Sequence, residues 1–296
     1  MEPVELVINR LLDKRMELQD KDKKYLFSLQ KGHEGEKSFD LWTETIQANC
    51  LILNDLLLKY KNNTFQLDST LILYDTIYLF EVKNFEGDHF YDSERMYMLP
   101  DTEVNNPLIQ VKRSESLFRQ LLQSLGYNFT IKTYVVFINP DFTLYKTPLN
   151  IPFIFLSQMK RLINKLNSVS SWKLTEKHKR LADKLISLHI KDSPYKKIPS
   201  YDYMQLRKGI TCERCNSFNL FIDGLSVICE DCGKRDRFTN AIIRSVNEFT
   251  ILFPEEKITT NIICDWCKVE KDKRRVRRVL QKHFKVVGVN QWTHYE

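Results

Sequence analysis

Two acids and a lysine stand out in the first third of this 296-residue chain: Asp68, then Glu81 and Lys83 with one residue between them. They lie in the segment 65–83, FQLDSTLILYDTIYLFEVK, which reads as two strands rich in β-branched and aromatic residues. A two-residue turn at Tyr74-Asp75 pairs Leu73 with Thr76, and the same register sets Asp68 directly opposite Glu81. A three-residue turn would send the two acids to opposite faces. Facing like charges destabilise a sheet, and a divalent cation removes that penalty. Hard cations such as Mg²⁺ take one or two carboxylates and complete their shell with water and phosphate oxygens. Lys83, two residues beyond Glu81, shares its face. The chemistry suggested is metal-assisted attack on a phosphate, but a lone E-x-K tripeptide is common by chance.

A second constellation is formed by Cys212-x2-Cys215 and Cys229-x2-Cys232, with 13 residues between the pairs. This spacing reads as a structural zinc ribbon, in which four thiolates close a tetrahedron around Zn²⁺ and leave no open position for catalysis. So small a module cannot bury a sufficient core, so metal binding would supply its fold. Cys264 and Cys267 nominate a second metal together with His283 and His294. They lie, however, in ITTNIICDWCKV, where Ile262, Ile263, Trp266 and Cys267 follow helical spacing, and a buried cysteine is the better reading. Cys50 is read as core in the same way.

The elements that must position these residues follow from hydrophobic periodicity. Phe39, Trp42, Ile46, Cys50 and Leu53 recur at helical spacing and predict a helix over 31–60. Asn106-Pro107 opens another helix, with Asn as N-cap and Pro at the first position, and Gly126 ends it. Strands are expected at Ile131–Ile138 and Pro152–Leu156, and Ser157 is expected to cap a helix carrying Met159, Leu162, Ile163 and Leu166. Helix, hairpin, helix, strand, strand, helix is the order of an α/β sandwich with a mixed sheet.

In this setting the first half resembles the NERD (nuclease-related domain) family of the PD-(D/E)xK nuclease superfamily. The matching pieces are Gly35-Glu36, Gln66-Leu67-Asp68, Glu81-Val82-Lys83-Asn84 with Gly87 beyond, and Asn106-Pro107-Leu108-Ile109-Gln110. Ser69 and Thr76 depart from the family pattern. The resemblance covers roughly residues 30 to 165 and implies a restriction-endonuclease-like mixed sheet flanked by helices. It implies that Asp68 and Glu81, with the Val82 carbonyl, hold Mg²⁺ or Mn²⁺, and that Lys83 orients or deprotonates the attacking water. Glu36 would reach the same metal or its water, and Gln110 would position water or phosphate.

Charge divides the chain. Residues 1–156 carry 17 Lys+Arg against 22 Asp+Glu, a net of −5, whereas 157–208 carry +9 and 209–296 carry +3. The acidic part suits cations and the basic part suits phosphates. Lys271 to Phe284 forms a strongly basic helix after two others (Asn240 to Phe253, and one capped by Thr259 or Thr260), with Val286 to Tyr295 as a wing. That order resembles a winged helix-turn-helix module, with Lys273, Arg274, Arg275, Arg277 and Arg278 meeting DNA. The bland alternative is a docked helix with a solvated basic face.

The expected organisation is a nuclease-like domain at 1–167, a basic helix and linker at 168–208, the ribbon at 209–238 and the helical module at 239–296. No apolar run is long enough to span a bilayer, and the N-terminus lacks an apolar signal region, so a cytoplasmic protein without membrane contact is expected. Three functions fit: a metal-dependent deoxyribonuclease delivered to DNA by its C-terminal modules, a silent nuclease fold serving as a DNA-binding or adaptor protein, or a regulator whose ribbon meets a helicase or polymerase. No P-loop is present, so any ATP-driven step would come from a partner such as a helicase or another DNA-processing protein.

Overall fold

The computed structural model describes residues 2–169, 173–191 and 196–296. Parts of the expected linker, Pro194 among them, lie outside the described residues. The chain forms two compact units, residues 28–196 and residues 1–27 with 197–296. Helix α1 (Val4–Arg15) belongs to the second unit, and the division falls within helix α2 (Asp20–Thr43).

The unit 28–196 is built on a five-stranded mixed sheet. Strands β1 (Leu51–Tyr60), β2 (Asn63–Ile72) and β3 (Thr76–Lys83) form an antiparallel meander. Strands β4 (Gly87–Asp92), β5 (Arg95–Met98) and β6 (Thr102–Val104) and helix α3 (Pro107–Ser124) then lead to β7 (Thr130–Phe137), which lies parallel to β3. After β8 (Phe142–Tyr145), strand β9 (Phe153–Phe155) adds to β7 in parallel, giving the order β1-β2-β3-β7-β9. Strands β6, β5, β4 and β8 form a separate small sheet that the sequence reading did not anticipate. Helices α4 (Met159–Val169) and α5 (Glu176–Leu188) complete the unit.

Alternation along β3 places helices on both faces. Ile77 and Leu79 join a core with Phe118, Leu121 and Leu122 of α3 and with Leu181 and Leu185 of α5. Tyr78, Phe80 and Val82 join the opposite core, with Phe39 of α2 and Met159, Leu162, Ile163 and Leu166 of α4. The basic helix expected to lead into a linker is thus packed on the sheet through its apolar side.

Two expectations are corrected. The helix expected over 31–60 is divided: α2 ends at Thr43, and residues 51–60 are strand β1. Helical recurrence runs on through Cys50 and Leu53 by coincidence, whereas Leu56 and Leu58 are buried beneath the sheet and the backbone pairs with β2. Ser157 is not an N-cap. It sits within a 3-10 turn, Leu156–Gln158, whose Gln158 side chain accepts the Phe155 N–H at 3.0 Å before α4 begins.

In the other unit, β10 (Leu220–Asp223), β11 (Ser226–Cys229) and β12 (Arg235–Arg237) form a small antiparallel sheet. Helices α6 (Phe238–Leu252), α7 (Thr260–Cys267) and α8 (Lys273–His283) follow, and a short hairpin of β13 (Val286–Val287) and β14 (His294–Tyr295) closes the chain. Thr259 caps α7 by accepting the Ile262 N–H. The Arg15 side chain of α1 is fully buried here, paired with Glu248 at 2.6 Å and lying 4.0 Å over the Trp266 ring. Among the described residues, no helix is long and apolar enough to cross a membrane.

Candidate active site

The hairpin register is the one that brings the two acids together. Ser69 pairs with Phe80 and Ile72 with Ile77, and the Leu73 N–H reaches the Thr76 carbonyl at 2.9 Å, closing the two-residue turn. The next position of this register holds Asp68 and Glu81. There the backbone ladder stops, and the Asp68 carboxylate itself accepts the Val82 N–H at 2.8 Å. Strand β3 continues along β7 instead, as far as Lys83 opposite Phe137. Glu81 follows Ile77 and Leu79 on one face and is only 3% exposed. Asp68 is half-buried.

Lys83, the next residue on that face, is half-buried. Its Nζ donates to Glu81 Oε1 at 2.6 Å and to Gln110 Oε1 at 3.2 Å. Gln110 is placed by the first turn of α3, which Asn106 caps by accepting the Leu108 N–H at 3.0 Å. Glu36 arrives from α2. Its neighbour Gly35 is buried against β3: a Cβ there would lie 2.7 Å from the Asn84 Cβ and 3.4 Å from Ile138. The Asn84 amide also donates to the Lys31 carbonyl at 2.8 Å, fixing the helix at the strand end.

One acid escaped the sequence reading. Asp55 occupies the β1 position opposite Asp68, between the pairs Asn54–Ser69 and Leu56–Leu67, with a left-handed φ of 53°. Aspartate tolerates this conformation better than most residues. Both strands change face here: Leu53 and Leu56 enter the same core, as do Leu67 and Ile72. Gln66 donates to the Asp55 carboxylate at 2.9 Å. The one available signal was the Asn54-Asp55 break in an otherwise apolar run.

The electrostatics express this crowding. Burial, then Asp68, pushes the Glu81 carboxyl up to about 7, with Lys83 opposing. Asp68 is raised by burial, against the opposing Lys83 charge and Val82 N–H. Glu36 is pushed up to about 8 by burial and by Asp68, Asp55 and Asp40. More carboxylates converge than Lys83 alone can neutralise, which is the condition a bound cation relieves.

Residues 31–138 match the nuclease-related domain, NERD. No curated protein and no solved structure matches the chain. The NERD segment begins on α2 and ends just after β7, so it contains Glu36, Asp68, Glu81, Lys83 and Gln110, and Asp55 as well. Its oxygen donors suit a hard cation such as Mg²⁺ or Mn²⁺. The four acids Glu36, Asp55, Asp68 and Glu81 do not close into a cage. Among the described residues, the cysteine quartet is the one group of three or more His, Cys, Asp or Glu side chains whose donor atoms all lie within 4.8 Å of one another. An open set leaves room for water and phosphate.

Beyond the NERD segment, Cys212, Cys215, Cys229 and Cys232 form that quartet. Cys212 and Cys232 are 3.6 Å apart at sulfur, as are Cys215 and Cys229. A tetrahedron with Zn–S bonds of ~2.3 Å has edges of roughly 3.8 Å, far from the ~2.05 Å of a disulfide. Each pair is followed by a left-handed residue, Asn216 (φ 58°) and Gly233 (φ 70°), so the two turns repeat one geometry. Burial opposes ionisation of Cys212, yet the N–H groups of Cys215 and Arg214 bring its thiol down to about 7. The quartet fits Zn²⁺. Cys264 and Cys267 are buried core residues, as read, and Cys50 is half-buried.

On α8, Val276, Val279 and Leu280 are buried while Lys273, Arg274, Arg277 and Arg278 are exposed. Arg275 differs from its neighbours. It pairs with Asp272 at 2.7 Å, donates to the Gly224 carbonyl at 2.7 Å and lies 4.0 Å over the Phe238 ring. Its guanidinium ties α8 to the β10–β11 turn and to α6 and is not displayed with the others.

Proposed function

We propose that this protein is a metal-dependent nuclease that hydrolyses DNA phosphodiester bonds at Asp68, Glu81 and Lys83, with the C-terminal modules supplying grip. The observation that carries the reading is the convergence of Asp68, buried Glu81 and Lys83 at the end of the β2–β3 ladder, inside the matched domain. Asp68 and Glu81, with the Val82 carbonyl, would hold Mg²⁺ or Mn²⁺. Bound there, the ion would polarise the scissile phosphate and lower the pKa of a water molecule.

The chain's own groups do the rest. Lys83, held between Glu81 and Gln110, places a positive charge where the phosphate gains negative charge and can take up or orient the proton of the attacking water. Gln110 orients water or phosphate from the first turn of α3, where its side chain already meets Lys83. Glu36 contributes a further carboxylate beside the metal ligands. Lys273, Arg274, Arg277 and Arg278 offer cations to DNA phosphates, separating grip from chemistry.

The test incubates the parent chain and Asp68→Ala with supercoiled plasmid and single-stranded DNA, in Mg²⁺, Mn²⁺ or chelator. Cleavage by the parent alone, and only with the ion, is expected. The second reading, a silent nuclease fold acting as a DNA-binding or adaptor protein, is the outcome if the parent binds DNA and cuts no substrate.

A further inference from the structure

The N-terminal half of α8, with the turn before it, borders a groove of about 760 Å³ whose lining includes Lys271, Lys273, Arg274, Arg277, Asn290 and Thr293. Its walls are α8, the start of α7 and the loop joining β13 to β14. The four cations make no salt bridge among the described residues, in contrast to Arg275, which is spent on Asp272 and Gly224. Between Asn290 and Thr293 stands Trp292, with 75% of its surface exposed, and Val289 beside it is 72% exposed. Trp266 in the same unit is wholly buried, so the core has its indole already.

The loop that carries Trp292 is fixed. Gly288 has φ 80°, and a Cβ there would lie 2.5 Å from the Trp292 carbonyl oxygen, so only glycine lets the 3-10 turn Asn290–Trp292 close onto β13. The Trp292 N–H bonds to the Val289 carbonyl at 3.1 Å, and the Thr293 hydroxyl bonds to the Asn290 carbonyl at 2.8 Å. Below, Tyr295 is buried and its N–H bonds to the Ile258 carbonyl at 2.9 Å, anchoring the hairpin to the residues before α7. A large apolar ring is therefore held in water on the same loop that lines the cationic groove through Asn290 and Thr293.

We propose that this groove binds single-stranded nucleic acid, with phosphates on the α8 cations and an unpaired base stacked on Trp292. The proposal rests on the nucleic-acid reading above and sharpens it. Base faces inside a duplex are covered by their neighbours, so an indole that is to stack on one needs a strand that is unpaired there. A duplex would use the same cations and leave Trp292 in water.

Fluorescence anisotropy of the full chain, without added divalent cation, would compare a labelled mixed-sequence DNA strand, its duplex and the same sequence as RNA. The single strand is expected to bind more tightly than the duplex, with the RNA arm showing which sugar is preferred. Trp292→Ala is expected to weaken strand binding at least about fivefold, the lower end for loss of one base–aromatic stack, while leaving duplex binding unchanged. Trp292→Phe should retain most of the affinity. Arg277→Gln should reduce the salt dependence for the strand by about 0.7 in log–log slope. An unchanged melting temperature and zinc content would show that Trp292→Ala is folded. Equal strand affinity for Trp292→Ala and parent, or a duplex bound as tightly as the strand, would overturn the proposal. Failure to bind any nucleic acid would overturn both this inference and the targeting role of α8. A parent that binds strand through Trp292 but cleaves nothing would refute the nuclease reading alone.

Discussion

A Cβ placed on Gly35 would come within 2.7 Å of the Asn84 Cβ, so α2 and the end of β3 meet at a distance only glycine allows. The adjacent residue is Glu36, and the Asn84 amide holds the Lys31 carbonyl one turn earlier. The glycine thereby sets how close the helical carboxylate stands to Asp68.

Gly35→Ala tests this directly. In an unconstrained helix the change stabilises by up to about 1 kcal/mol. Here the overlap with Asn84 and Ile138 should reverse the sign, at a cost of about 1–3 kcal/mol as for other overpacked sites. A lower urea midpoint with reduced cleavage is expected, and a raised midpoint would show that the contact yields.

The pH dependence follows from the raised carboxyls. Glu36 at about 8 and Glu81 at about 7 both lie above the ordinary 4.5, so the folded chain holds protons there that the unfolded chain has released. Between about 4.5 and 8 these groups make stability fall as pH rises. A cation held by the same acids opposes that loss. The rise in melting temperature on adding Mg²⁺ should therefore be larger near pH 8 than near pH 6, and Glu81→Gln should remove most of the difference. A Mg²⁺ effect independent of pH would contradict this assignment.

Removing a zinc thiolate should unfold the ribbon locally. Metal analysis of the parent is expected to give about one zinc per chain, falling to near zero in Cys229→Ser, because the module has too little core to fold without the ion. Amide exchange over residues 209–238 should become fast in that variant while strands β1–β3 stay protected. A ribbon that stays protected without zinc would show that other contacts hold it.

Much of the candidate site was legible because it depends on local rules. The two-residue turn fixes the 68–81 register, the pleat fixes Lys83 beside Glu81, and Asn106-Pro107 fixes the start of α3. What was missed depends on contacts distant in sequence. Residues 51–60 kept a helical period, and only pairing with β2 makes them a strand. The small sheet turns at Ser93-Glu94, with φ of 48° and 63°, where the favoured Asn-Gly signal is absent. Asp55 gained its meaning from lying opposite Asp68, and Arg275 lost its apparent freedom to Asp272, Gly224 and Phe238.

The proposed chemistry requires Lys83 to act with Asp68 and Glu81 in breaking a phosphodiester bond. The most direct measurement is single-turnover cleavage of end-labelled DNA by parent and Lys83→Ala, with enzyme in excess and Mg²⁺ or Mn²⁺ present. Excess enzyme saturates binding, so a difference in rate reports the chemical step. A loss of about 10²-fold or more is expected for Lys83→Ala, with DNA binding unchanged. Equal rates for the two proteins, or no cleavage by the parent, would contradict it.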